Sequence, residues 1–131
     1  MTDRVSQLGP SQGRLSVAPD PGEPIDLSQA FRDREILLTG VTGFLGKVAL
    51  AMLLDRYPEV RRVHVLVRPR AGGTAEDRFF GKVAQAPPFR PLREKHGAEF
   101  ERILRDKCAP LAGDVADPCF GLRDAQIVPL A

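Results

Sequence analysis

Three glycines stand three apart in the stretch Thr39-Gly40-Val41-Thr42-Gly43-Phe44-Leu45-Gly46, with apolar runs on either side. Glycine at that density suits a backbone that must turn sharply and let another group come close. The chemistry this points to is the cradling of a phosphate. A helix that starts at such a turn presents unpaired N–H groups and the positive end of its dipole to an anion. One glycine permits the turn, one leaves room for a pyrophosphate, and one lets helix and strand pack closely. The spacing is G-x-x-G-x-x-G. A P-loop is excluded. It needs glycine where Val41 stands and Ser or Thr where Val48 stands, so a magnesium ion would lose its hydroxyl ligand.

Two further places bear on which nucleotide would bind. Arg68 follows the run RVHVLV, and no acid appears after it until Glu76. In a dinucleotide-binding fold the adenosine ribose lies beyond the end of the second strand. A carboxylate there favours the 2′-hydroxyl of NAD, and an arginine pairs with the 2′-phosphate of NADP. A guanidinium matches a phosphate in bidentate geometry and stays charged. NADP(H) is therefore the expected cofactor, with Arg68 as its main contact and Arg70 or Arg78 assisting. The plainer alternative for each is a solvated surface arginine. Asp114 and Val115 close the third strand, where adenine would lie. Asp114 would accept from the adenine amino group, and Val115 would pack on the ring or offer its backbone. The alternative for Asp114 is that it caps the following turn.

These residues need elements to hold them. The apolar run EILLT, 35–39, is ambiguous alone, and the glycines after it decide for a strand. Residues 44–56 are rich in helix formers and end before Pro58. Apolar side chains surround most of that segment, which predicts a helix packed deeply against a sheet. Residues 62–67 alternate and are β-branched, as in a strand. Thr74 with Asp77 resembles a capping box, predicting a helix over 75–85. Pro87, Pro88 and Pro91 mark a break. Residues 97–107 carry one apolar stripe at helical spacing, and 109–113 form a short third strand. Strands alternating with helices imply parallel pairing. The fold class is α/β: the N-terminal half of a Rossmann-type doubly wound sheet, about three strands with crossover helices.

Composition narrows the function further. The 131 residues suffice for one domain, and 43% apolar with 27% charged residues is ordinary for a globular protein. A net charge of +2 without a long basic run gives no footprint for nucleic acid. The two cysteines, Cys108 and Cys119, and the two histidines, His64 and His96, make neither a zinc pattern nor a disulfide framework. No stretch has signal-peptide character, and none reaches the roughly eighteen apolar residues of a membrane span. The expected setting is reducing and cytoplasmic. Residues 1–24, with Pro10, Pro19, Pro21 and Pro24 and few large apolar side chains, read as a disordered leader.

The motifs together resemble the alcohol-forming fatty acyl-CoA reductases, the male-sterility group of extended short-chain dehydrogenases, in their bacterial branch. The resemblance rests on T-G-x-T-G-F-L-G-K, on L-V-R-P, and on G-D-V-x-x-P-x-x-G-L, and runs from Phe31 to Leu122. Thioester reductase domains of carboxylic acid reductases and peptide synthetases share the first two motifs. The resemblance implies NADPH-dependent reduction of a long acyl thioester, such as a fatty acyl-CoA, to aldehyde or alcohol. It assigns Thr39, Gly40, Thr42, Gly43, Phe44, Leu45 and Gly46 to the pyrophosphate turn, Arg68 to the 2′-phosphate, and Asp114 with Val115 to adenine.

The family's catalytic Tyr-x-x-x-Lys does not carry over. The single tyrosine, Tyr57, has Arg61 four residues later. No catalytic residue is assigned within this chain. The expectation is an NADP-binding half-domain over 25–122, an irregular tail over 123–131, and the remainder of the domain missing. A non-catalytic NADP-binding sensor is the reading from a different class. A sugar-nucleotide epimerase of the same extended group is disfavoured by Arg68. Without a fourth strand the first would be a bare apolar edge, so the isolated chain is expected to fold poorly or to associate.

Overall fold

A computed structural model describes residues 22–127. The expected leader lies outside the described residues except for 22–24, and so does the end of the tail, 128–131. The chain enters through a short helix, α1 (Leu27–Phe31), capped by the Asp26 carboxylate, which accepts from the backbone N–H groups of Ser28 and Gln29 at 3.0 and 3.3 Å. Strand β1 (Glu35–Leu38) leads through the glycine turn into α2 (Phe44–Arg56). Pro58 lies just past the end of α2, where a helix could not continue. Strand β2 (Arg62–Val67) follows.

The crossover from β2 to β3 (Cys108–Ala112) is a set of short helices: α3 (Ala75–Arg78), α4 (Arg90–His96) and α5 (Phe100–Lys107). Thr74 and Asp77 form a full capping box at the start of α3. The expected single helix over 75–85 is corrected: after α3 the backbone widens into a π-helical turn over Phe79–Val83. That turn buries both Phe79 and Val83. Helix α4 replaces the expected break. Proline is tolerated in the first turn of a helix because its missing N–H would be unpaired there anyway. Pro87 and Pro88 open a 3-10 turn, and Pro91 sits in the first turn of α4. A helical turn, α6 (Asp124–Ile127), occupies part of the expected tail.

The three strands form one parallel sheet in the order β1-β2-β3. Alternation along β2 sends Val63, Val65 and Val67 to one face and His64 and Leu66 to the other. On the first face the valines join Leu50, Ala51, Phe79, Val83, Phe89, Leu92, Phe100 and Leu104 in a continuous core. Cys108 is buried in it, and burial pushes its thiol up to about 12, so it stays protonated and inert.

Helix α2 departs from expectation. Only Leu50 and Ala51 are buried, while Phe44 and Leu45 are 77% and 78% exposed and Met52 is 44% exposed. Its apolar surface on several sides needs more covering than the described residues give it. None of the described helices is long and apolar enough to cross a membrane.

Candidate functional site

The C-terminal ends of all three strands converge on one cavity of about 240 Å³, lined by Gly40, Thr42, Leu66, Arg68, Arg78, Gly113, Asp114 and Val115. Parallel pairing produces this convergence: every strand points its carboxyl end the same way, and every following loop opens there.

The glycine turn supplies one wall. Gly40 has φ +75°, a conformation that side chains rarely adopt, and nothing stands within 4 Å of where its Cβ would be. Gly43 donates its N–H to the Gly40 carbonyl at 3.1 Å and caps α2 without any side-chain hydrogen bond. The first amides of α2 therefore face the turn with no side-chain acceptor. Gly46 has a different reason to be glycine. A Cβ there would lie 2.0 Å from the Gly40 carbonyl oxygen and 2.8 Å from the Val41 Cα, so the helix packs on the turn through bare backbone.

The opposite wall is polar. Arg68, at the end of β2, donates from Nη1 to Asp114 Oδ2 at 3.3 Å. Arg78, on α3, donates to the backbone carbonyl of Arg68. Asp114 Oδ1 accepts from the Ala116 N–H at 3.0 Å. That bond first, and then Arg68, hold the Asp114 carboxyl below the ordinary carboxylate range, against the opposing effect of burial. The loop behind Asp114 folds back tightly. The Asp114 N–H donates to the Phe120 carbonyl at 2.9 Å, and Cys119, Phe120 and Gly121 all take positive φ, of 50°, 58° and 71°. A Cβ on Gly113 would sit 2.3 Å from that Phe120 oxygen.

Of the residues singled out in the sequence, Gly40, Thr42, Arg68, Arg78, Asp114 and Val115 line the cavity together. Thr39, Gly43, Phe44, Leu45 and Gly46 do not. Gly43 and the exposed Phe44 and Leu45 stand at the mouth of α2, and Gly46 sits behind the turn. Arg70 is exposed and away from the cavity wall. The sequence reading did not single out Leu66 and Gly113 as wall residues. Their signal was positional: Leu66 is the last β2 residue on the face opposite the core valines, and Gly113 directly follows β3.

Tyr57 lies at the far end of α2, its ring 4.9 Å from that of Phe31. The 13 residues of α2 separate it from the glycine turn by about 20 Å at 1.5 Å per residue. It packs and does not reach the cavity.

Comparison with known proteins gives a consistent family. The family model described as "Male sterility protein", an NAD-binding family, matches residues 38–131. Fatty acyl-CoA reductase 2, chloroplastic, of Arabidopsis thaliana is 29% identical over 119 residues, covering 91% of this chain and 19% of the relative. Fatty acyl-CoA reductase 1 of Gallus gallus is 40% identical over 80 residues, covering 61% of this chain and 15% of the relative. Among solved structures, the reductase (R) domain of a non-ribosomal peptide synthetase from Mycobacterium tuberculosis superposes with a TM-score of 0.55 at 30% identity, over 74% of this chain and 21% of that one. The chain thus spans about a fifth of the length of these proteins.

Proposed function

The chain belongs to the male sterility family of NAD-binding domains, and from that premise we propose that it is the NADP(H)-binding portion of a fatty acyl-CoA reductase. The observation that carries the reading is the shared cavity at the three strand ends, with two arginines on its wall at the end of β2 and the start of the crossover. The residues present fit a dinucleotide. Open space over Gly40 and the uncapped start of α2 suit a pyrophosphate, which would accept from first-turn amides. Arg68 and Arg78 suit a 2′-phosphate. Asp114 and Val115 suit adenine, with the carboxylate accepting from its amino group.

The bound cofactor would supply the hydride for reduction of an acyl thioester. This chain's own residues bind and orient it. Among the described residues none is placed to donate a proton to the substrate, so the chain is expected to bind without turning over. A whole protein would complete the site and reduce an acyl-CoA to aldehyde or alcohol. The likeness to a peptide synthetase R domain supports a second reading, a thioester reductase acting on a different thioester carrier.

Titration of the chain with NADPH and NADH tests the cofactor. The expected result is tighter binding of NADPH, with the preference lost in Arg68→Met. Equal affinities in the unsubstituted chain would overturn the NADP assignment. NADPH oxidation by the whole protein, with long acyl-CoA or with a carrier-protein thioester, separates the two substrate readings. Tight binding without turnover of either substrate would favour a sensor.

A further inference from the structure

The arginine that would receive the 2′-phosphate already has a partner. Arg68 gives one N–H to Asp114 at 3.3 Å, and the two sides of that pair differ. Asp114 is held: its Oδ1 accepts from Ala116, its backbone N–H is bound by Phe120, and its side chain is 27% exposed. Arg68 is 74% exposed, and among the described residues its side chain, with five possible donors, makes this one contact. The carboxylate is the anchored member and the guanidinium the one free to swing. Arg78 borders the same cavity, and among the described residues it has no ion pair.

Resting on the NADP(H) reading above, we infer that Asp114 sets cofactor preference by competing with the 2′-phosphate for the Arg68 guanidinium. A carboxylate and a phosphate ask for the same donors in the same geometry. NADP(H) must draw Arg68 away from Asp114 or share it. NAD(H), with a hydroxyl at that position, leaves the pair as it stands. The preference for the phosphorylated cofactor is therefore lower than Arg68 and Arg78 alone would give. The Ala116 N–H and Arg68 keep the carboxyl ionised at neutral pH, so the competition is permanent there. A single exposed contact at 3.3 Å is weak, so its effect is a modest factor.

The test is Asp114→Asn, which keeps the side chain's shape and an oxygen for the Ala116 N–H while removing the charge. Dissociation constants for NADP⁺ and NAD⁺ are measured by calorimetry at one fixed salt concentration, with 2′,5′-ADP as a probe of the phosphate subsite. The readout is the ratio of the two dinucleotide affinities within one preparation, so an inactive fraction cancels. The expected result is a shift of that ratio toward NADP⁺ by about twofold to fivefold, the range an exposed ion pair supplies. The 2′,5′-ADP probe follows NADP⁺. In an Arg68→Met background the same substitution should give no shift. An unchanged ratio, a shift toward NAD⁺, or a shift that persists without Arg68 overturns the inference. If the unsubstituted chain binds both dinucleotides equally, or binds none of the three probes, the cofactor reading fails and takes the inference with it.

Discussion

The two flanks of the sheet are unequal. Strand β2 pairs on both sides, and every residue from Val63 to Val67 is buried. Strand β1, among the described residues, pairs with β2 alone, and none of its residues is fully buried. Helices α3 to α5 and the π-helical turn pack the β2–β3 side, with Phe79 fully enclosed. On the β1 side α2 leaves Phe44, Leu45 and Met52 in the open. A sheet strand with one partner and a helix with apolar residues on several faces share a cause. Both are built for more contacts than these residues supply. The cavity lies across the junction, with its glycine wall on the open flank and its arginine wall on the covered one. On the proposed reading, cofactor affinity would depend on both.

The largest expected difference between the flanks is in the cost of truncating an apolar side chain on each. Phe79→Ala empties a fully enclosed site and should cost about 3–5 kcal/mol. For a domain this small that removes most or all of its stability. Met52→Ala, on the open flank, should stay within about 0.5 kcal/mol. Urea midpoints for the two variants check this, and similar losses would mean that the flanks are equally packed. Next in size is Gly46→Ala. Its Cβ would meet backbone on the turn itself, so α2 must shift away from Gly40. Overpacking of this kind costs about 1–3 kcal/mol. NADPH binding should fall by more than the loss of folded protein explains, because the amides at the start of α2 move. Binding that survives at full strength would show that the turn tolerates the shift.

How much of this was legible beforehand depended on whether the cause was local. Strand β2 and helix α2 fall on the expected bounds because β-branched alternation, helix formers and Pro58 are all written in adjacent residues. The capping box at Thr74 is local as well. Helix α4 was hidden because three prolines in a row of turns look like punctuation, and only their register tells a break from a first turn. The π-helical turn is set by Phe79 and Val83 both reaching the core, which no short window displays. The cavity's membership was largely readable from motif positions. The Arg68–Asp114 pair was not, since its partners are separated by the whole crossover and meet only through parallel register. The exposure of α2 was missed for a related reason: an apolar surface on several sides does not say which neighbours are at hand.

Association is a smaller effect that sharpens the same contrast. A strand edge without a partner among the described residues, beside exposed Phe44, Leu45 and Met52, is a surface on which copies can meet. Sedimentation of the 131-residue chain should show concentration-dependent growth, reduced by Leu45→Lys and unaffected by Lys82→Glu on the covered flank. Hydrogen exchange should follow suit. The β2 amides should exchange only with global unfolding, and the β1 amides through smaller local openings. A sharp, monomeric, two-state melt with equal protection in both strands would remove the distinction between the flanks.

The smallest expected effect concerns a polar tie across the first strand pair. Glu35 on β1 meets the buried His64 on β2 with 2.8 Å between Oε2 and Nε2, and Arg61 approaches the other carboxylate oxygen at 3.6 Å. The hydrogen bond with His64 chiefly, with the positive charges of Arg61 and Arg62, holds the Glu35 carboxyl below its ordinary 4.5, although burial opposes this. A carboxyl whose folded value lies below its unfolded one contributes stability in full above the ordinary range. That contribution fades as the pH falls through the lowered value. Glu35→Gln keeps an acceptor for His64 but has no charge to lose. Its urea midpoint should therefore trail the unsubstituted chain slightly at neutral pH, and the gap should close on acidification below about pH 4. A gap that stays constant into acid would show that β1 is held to β2 by its ladder alone. The open flank would then be tied to the covered one by backbone, with no help from charge.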